Sequence, residues 1–302
     1  MTDAETAPVM DIDPDEVTPG TVDYDAVRAG FHHEEGLVKN RAADVTTALA
    51  EADIDAVDPL LEDVIAALED DNVNVVKKAT AVLSVVAEED PDRLEDAVGP
   101  LVRTLDHDLP LIQTFAVRAL RPIAMEHPEW FGPHVGELAD RVEEGRHHMV
   151  DAEDPDVDQE VRQTLSKINA SEGRKQLIAY SVAANLIVEV AEVDPDAVLP
   201  HVDHLVEMLD DVTPVAAGTI AEALGRIARD DPEAVAHAVD PLTEWVDYAD
   251  EAIAGRVIRA LGYIGDPAAA PAIRAVAEDE DRDEDLRDLA RETADFLETV
   301  ER

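Results

Sequence analysis

Residues 73–91 read VNVVKKATAVLSVVAEEDP. Val82, Leu83, Val86 and Ala87 recur at helical spacing, and the stretch stops at Asp90-Pro91. Proline suits the first position of a following helix, where its missing N–H costs nothing, and the aspartate before it is suited to capping that helix. The same punctuation returns at His127-Pro128, Asp194-Pro195, Asp231-Pro232 and Asp266-Pro267, with successive prolines 37, 67, 37 and 35 residues apart. One register earlier, Arg41 falls on Lys78, Ala42 on Ala79, Ala50 on Ala87 and Asp53 on Asp90. A period near 37 residues predicts stacked helical hairpins rather than a single globular core.

Working outward, the period predicts paired helices over 37–51 and 55–69, 73–88 and 91–105, and 110–125 and 128–143. It continues over 174–192 and 195–210, 213–229 and 232–247, and 251–264 and 267–278, with a last helix over 283–299 covering the open end. Small residues at Ala119, Gly225, Ala260 and Gly262 predict close helix approach. Residues 1–25 carry Pro8, Pro14 and Pro19-Gly20 without a sustained period and are expected to be a flexible acidic tail. The solenoid is expected over 26–302. The extra 30 residues between the third and fourth hairpins place an insertion at about 146–172, where partner contacts are one expectation and a plain surface loop the other.

Composition limits the partners. The chain has 302 residues, 71 acidic against 24 basic, for a net charge of −47. Its lysines are Lys39, Lys77, Lys78, Lys167 and Lys175. Apolar residues still make up 46%, enough for a folded core. Such a surface opposes binding to nucleic acid or anionic membrane, because phosphate binding needs cations. Molar salt relieves the self-repulsion by shortening the Debye length to about 3 Å. Abundant acid, scarce lysine and few aromatics resemble the proteins of halophilic archaea. Without cysteine there is no disulfide, thiolate nucleophile or zinc–thiolate site. The N-terminal Met1-Thr2-Asp3-Ala4-Glu5 lacks the basic and apolar regions of a signal peptide, and the most apolar run, Leu177 to Val193, is broken by Glu189 and Glu192. A cytoplasmic protein is expected.

The stretch Arg259-Ala260-Leu261-Gly262-Tyr263-Ile264-Gly265-Asp266-Pro267 resembles the HEAT-repeat consensus of the phycobilin-lyase type, as does Asp285-Leu286-Arg287-Asp288-Leu289-Ala290. The resemblance is clearest over 250–299 and weaker before it. It implies an all-α, right-handed α-solenoid of about six hairpins with a C-terminal capping helix, the second helices lining a concave face. The function expected is a non-enzymatic scaffold for another protein, with no cofactor. The alternative implied by the subfamily is an enzyme or accessory protein handling a cofactor.

Several residues invite a chemical reading. His201, His204 and Glu207 lie three apart on one predicted helix, the spacing of metal ligands in bundles. His32-His33 and His147-His148 are adjacent and face apart on a helix. Di-iron hydroxylases built from HEAT repeats use repeated His-Glu pairs, and only His33-Glu34 fits that pattern here. Asp154, Asp156 and Asp158 have the opening spacing of a calcium loop but meet Gln159 and Leu165 where glycine and glutamate are needed. Asp279, Asp281 and Asp283 fail in the same way at Glu284 and Ala290. Candidate partner contacts are Trp130, Phe131, His134, His147, His148, His201, His204, Trp245 and Tyr248. The bases gathered on the first helices (Arg41, Lys77, Lys78, Arg118, Arg121, Arg256 and Arg259) are expected to pair with neighbouring carboxylates.

Overall fold

The computed structural model describes residues 7–144 and 179–299, and the predicted insertion at 146–172, with His147 and His148, lies outside them. The described residues are all-α, and contacts divide the chain into two units, Met1–Trp130 and Phe131–Arg302. In the first unit, α1 (Tyr24–Phe31) precedes the long helices α2 (Gly36–Ala52), α4 (Val73–Glu89) and α6 (Pro110–Glu126). Short helices α3 (Leu61–Ala66) and α5 (Val98–Thr104) return between them. The second unit runs α7 (Val135–Glu144), α8 (179–193), α9 (Pro195–Val198), α10 (Val202–Met208), α11 (Pro214–Ala228) and α12 (Val239–Glu244). It ends with α13 (Glu251–Ile264), α14 (Ala270–Glu278) and α15 (Glu284–Thr299).

The first helices form where their apolar period and caps predict. Asn72 opens α4 by accepting from the Asn74 N–H, Thr213 opens α11 by accepting from Ala216, and Asp250 opens α13 by accepting from Ala252 and Ile253. Gly265 closes α13 with φ 77°, a left-handed C-cap that glycine adopts without strain. Their apolar stripes are fully buried at Leu49, Leu83, Leu120, Leu224 and Leu261. Burying each such leucine stabilises by roughly 1.5–3 kcal/mol. Buried hydroxyls are satisfied locally: Thr80 donates to the Val76 carbonyl at 2.7 Å and Thr219 to Val215 at 2.9 Å.

The second stretches differ from the single helices predicted. They begin as 3₁₀ turns, such as Ile54–Leu60, Pro128–His134 and Glu233–Ala238, and become α-helical only afterwards. A second set of prolines explains this: Pro59, Pro100, Pro133, Pro200, Pro241 and Pro271. Each lies just ahead of the α-helical segment or within its first three residues, where the missing N–H breaks no helical hydrogen bond. The aspartates before the punctuating prolines also divide their roles. Asp231 and Asp266 cap the backbone, as does Asp53 at the equivalent position before Ile54, whereas Asp90 binds Arg93 at 2.8 Å instead.

The N-terminal segment also departs from expectation. Residues 7–22 are not a free tail: Val9 is fully buried, and Arg41 donates to the Ile12 carbonyl at 3.0 Å. Gly30 makes the room, since a methyl there would come within 2.9 Å of Val9. Asp23 then caps α1, a helix the period does not reveal.

Candidate interaction face

Charged side chains tie successive hairpins together at close to the repeat spacing. In the first unit Lys78 pairs with Asp44 at 2.6 Å, Arg103 with Glu69 at 2.5 Å and Arg118 with Glu88 at 2.7 Å. Arg93 is gripped by three carboxylates, Asp55 at 2.6 Å, Asp58 at 3.0 Å and Asp90 at 2.8 Å. The hydrogen bond to Asp55 is the largest cause raising its pKa further above the ordinary arginine value. The expected pairing of first-helix bases is therefore met at Lys78 and Arg118.

It is met again at Arg256, which pairs with Glu222, and is not met at Lys77, Arg121 or Arg259 among the described residues. Gly225 sets the geometry between α11 and α13: a Cβ there would lie 3.1 Å from Ala260 Cα, so the two helices approach at bare backbone. Above this contact Arg226, Arg229, Arg256, Arg259 and Tyr263 line a cleft of about 130 Å³. Glu222 bridges Arg226 at 3.0 Å and Arg256 at 3.3 Å. Glu192 of α8 bridges Arg226 and Arg229, the latter at 3.3 Å. Burial opposes the charge on Arg226, but these carboxylates outweigh it and hold its pKa above the ordinary value. Arg229 stacks over the Tyr263 ring, with its guanidinium carbon 4.9 Å from the centroid. Arg259 is exposed, and among the described residues it has no hydrogen bond or ion pair. The signal for this face is arginine at i and i+3 on two successive first helices, Arg226/Arg229 and Arg256/Arg259.

The predicted contact residues fall elsewhere. Phe131 is fully buried, so it is core and beyond the reach of a partner, a correction that follows from its place in the 3₁₀ turn Pro128–His134. Trp130 stacks on His127, rings 3.8 Å apart and 7° from parallel. His134 pairs with Glu137 at 3.3 Å. His201 closes over Gly136, whose added Cβ would lie 2.9 Å from His201 Cε1, and His204 reaches Glu143 at 3.2 Å. These two histidines join α10 to α7. Trp245 donates to the Leu209 carbonyl at 3.1 Å and tilts against Tyr248 at 5.4 Å, filling space between hairpins.

Among the described residues, one group has the spacing of metal ligands, and it includes a punctuating residue, His127. Asp92, Glu126 and His127 bring three ligand atoms within 4.8 Å of one another. His127 Nε2 is 2.5 Å from Asp92 and its Nδ1 is 3.5 Å from Glu129. The Asp92 hydrogen bond is the largest cause holding the His127 pKa above the ordinary histidine value. Hydrogen bonding of the ring to these carboxylates accounts for the cluster. A separate open groove of about 770 Å³ beside α2 is lined by Asp13, Asp15, Asp44 and Glu51 around Arg41. No helix among the described residues is long and apolar enough to cross a membrane.

The family described as HEAT repeats matches residues 202–294, which include α10 to α14 and most of α15. No curated protein matches the chain. Among solved structures, an engineered protein is similar over 92% of this chain and 70% of its own, at 18% identity and a TM-score of 0.53. A second engineered protein aligns with 79% of this chain and 96% of its own, at 19% identity and a TM-score of 0.49. Computationally designed armadillo repeat proteins for modular peptide recognition align with 91% of this chain and 99% of their own, at 17% identity and a TM-score of 0.37. The HEAT-repeat match, with the helical hairpins described above, shows a repeat-solenoid fold.

Proposed function

We propose that this chain is a non-enzymatic HEAT-like scaffold that holds another protein, in a cytoplasm of high salt. The observation that carries the reading is the arginine–tyrosine face across α11 and α13. It concentrates exposed guanidinium groups on a chain whose net charge is −47. Arginine and tyrosine are the residue types that anchor protein interfaces. Ion pairs such as Lys78–Asp44, Arg103–Glu69, Arg118–Glu88 and Arg282–Asp247 join one hairpin to the next and support the repeat as a rigid frame. The acid excess and the scarcity of lysine support a high-salt setting, where screening removes the self-repulsion.

The test is affinity capture at about 1 M KCl, where the Debye length is about 3 Å. The intact chain is compared with the double variant Arg256→Glu, Arg259→Glu. The scaffold reading expects a stoichiometric protein partner on the intact chain that the double variant loses. Capture of no protein by either form, or the same protein by both, would count against it.

A further inference from the structure

We infer that the cleft between α11 and α13 receives a carboxylate-rich segment of a partner protein, with Arg259 and Tyr263 as its anchors. This rests on the scaffold reading and names the chemistry of the partner.

The cleft already shows what its arginines take. Glu192 sits between Arg226 and Arg229, and Glu222 between Arg226 and Arg256. Carboxylate and guanidinium thus alternate across three helices, α8, α11 and α13. The row ends at Arg256, and Arg259, which lines the same cleft one helical turn on, has no carboxylate of its own among the described residues. A guanidinium offers parallel N–H donors that match a carboxylate in bidentate fashion, so the next member of the series is an anionic side chain from outside.

Charge and size point the same way. Four arginines face two glutamates here, a local positive excess on a chain where acids outnumber bases 71 to 24. An acidic segment meets repulsion elsewhere on such a surface and attraction at this place. At about 130 Å³ the cleft is below the roughly 300–1,000 Å³ of small-molecule and cofactor pockets, and a single side chain fills it better. Tyr263 is 44% exposed, and the stacked Arg229 fixes its ring before any partner arrives. Ordering an anchor in advance lowers the entropic cost of docking.

The experiment uses the full chain at about 1 M KCl, where long-range repulsion is screened and recognition at contact range remains. The probe is a fluorescein-labelled hexaglutamate peptide followed by anisotropy. Arg259→Gln is compared with the unchanged chain and with Arg291→Gln, which removes an exposed arginine of α15 paired with Asp288 at 2.5 Å. Saturable binding is expected, weakened about tenfold by Arg259→Gln, the size of one charge-assisted hydrogen bond, and unaltered by Arg291→Gln. Thermal unfolding of each variant establishes that it is folded. No binding to the folded chain, equal binding by Arg259→Gln, or displacement of the peptide by equimolar inorganic phosphate would each overturn the inference. If the peptide fails while a protein is still captured through this face, only the carboxylate assignment falls. If capture fails as well, the scaffold reading falls with it.

Discussion

Arg93 and Arg259 are both arginines in an acidic chain, and they stand in opposite surroundings. Arg93 lies where one hairpin turns into its second stretch and is held by carboxylates from its own turn and from the hairpin before. Arg259 lines the α11–α13 cleft, exposed and with no carboxylate of its own among the described residues. The pairs of Arg93 join two hairpins, whereas the Arg259 guanidinium stays exposed at the cleft. Exposure alone separates them poorly, because Arg229 and Arg256 are each 38% exposed at the side chain and still paired.

The contrast can be broken most forcefully from below. Gly225→Val places a branched side chain where even a Cβ would be 3.1 Å from Ala260 Cα. Denaturant unfolding is expected to show a loss of about 1–3 kcal/mol from overpacking, with the arginine face pulled apart at the same time. Unchanged stability would mean that α11 and α13 are not in close contact. The arginines themselves come next. Arg93→Gln is expected to cost about 1 kcal/mol, since it removes a network of surface pairs individually worth roughly 0.2–1 kcal/mol. Arg259→Gln is expected to stay within about 0.5 kcal/mol of the unchanged chain. Equal losses in the two variants would erase the distinction.

The smallest effect concerns His127, which resembles Arg93 in being held by carboxylates. Its folded pKa is raised, chiefly by Asp92, so its contribution to stability is fully present below the unfolded histidine value of about 6.5. That contribution is lost as pH rises through the higher folded value. An NMR titration should place the His127 midpoint above that of an unfolded-chain histidine. His127→Gln should remove this part of the pH dependence of stability, and a midpoint at or below the unfolded value would contradict the clamp.

Much of the fold is legible in the sequence because the first helices carry both an apolar period and polar caps. The predicted and observed limits of α4, α6, α11, α13 and α15 agree within a residue. The second stretches are less legible, since Pro59, Pro100 and Pro133 shift the start of regular α-helix without disturbing the apolar pattern around them. The docking of residues 7–22 rests on Val9 against Gly30 and on the Arg41–Ile12 hydrogen bond, isolated contacts that leave no period to detect. The site is legible only in part. Arg256 and Arg259 stand out as bases on a first helix, but which of them finds a carboxylate depends on how α11 and α13 approach. His127 occupies a slot taken by aspartate at most other hairpin turns, and its bond to Asp92 and its stacking on Trp130 depend on the fold.

The most direct test sets the two arginines side by side in hexaglutamate binding at about 1 M KCl, with both variants confirmed as folded. Arg93→Gln is expected to bind the peptide as the unchanged chain does, and Arg259→Gln about tenfold more weakly. Equal affinity in the two variants, or the larger loss in Arg93→Gln, would contradict the assignment of the α11–α13 face to a partner.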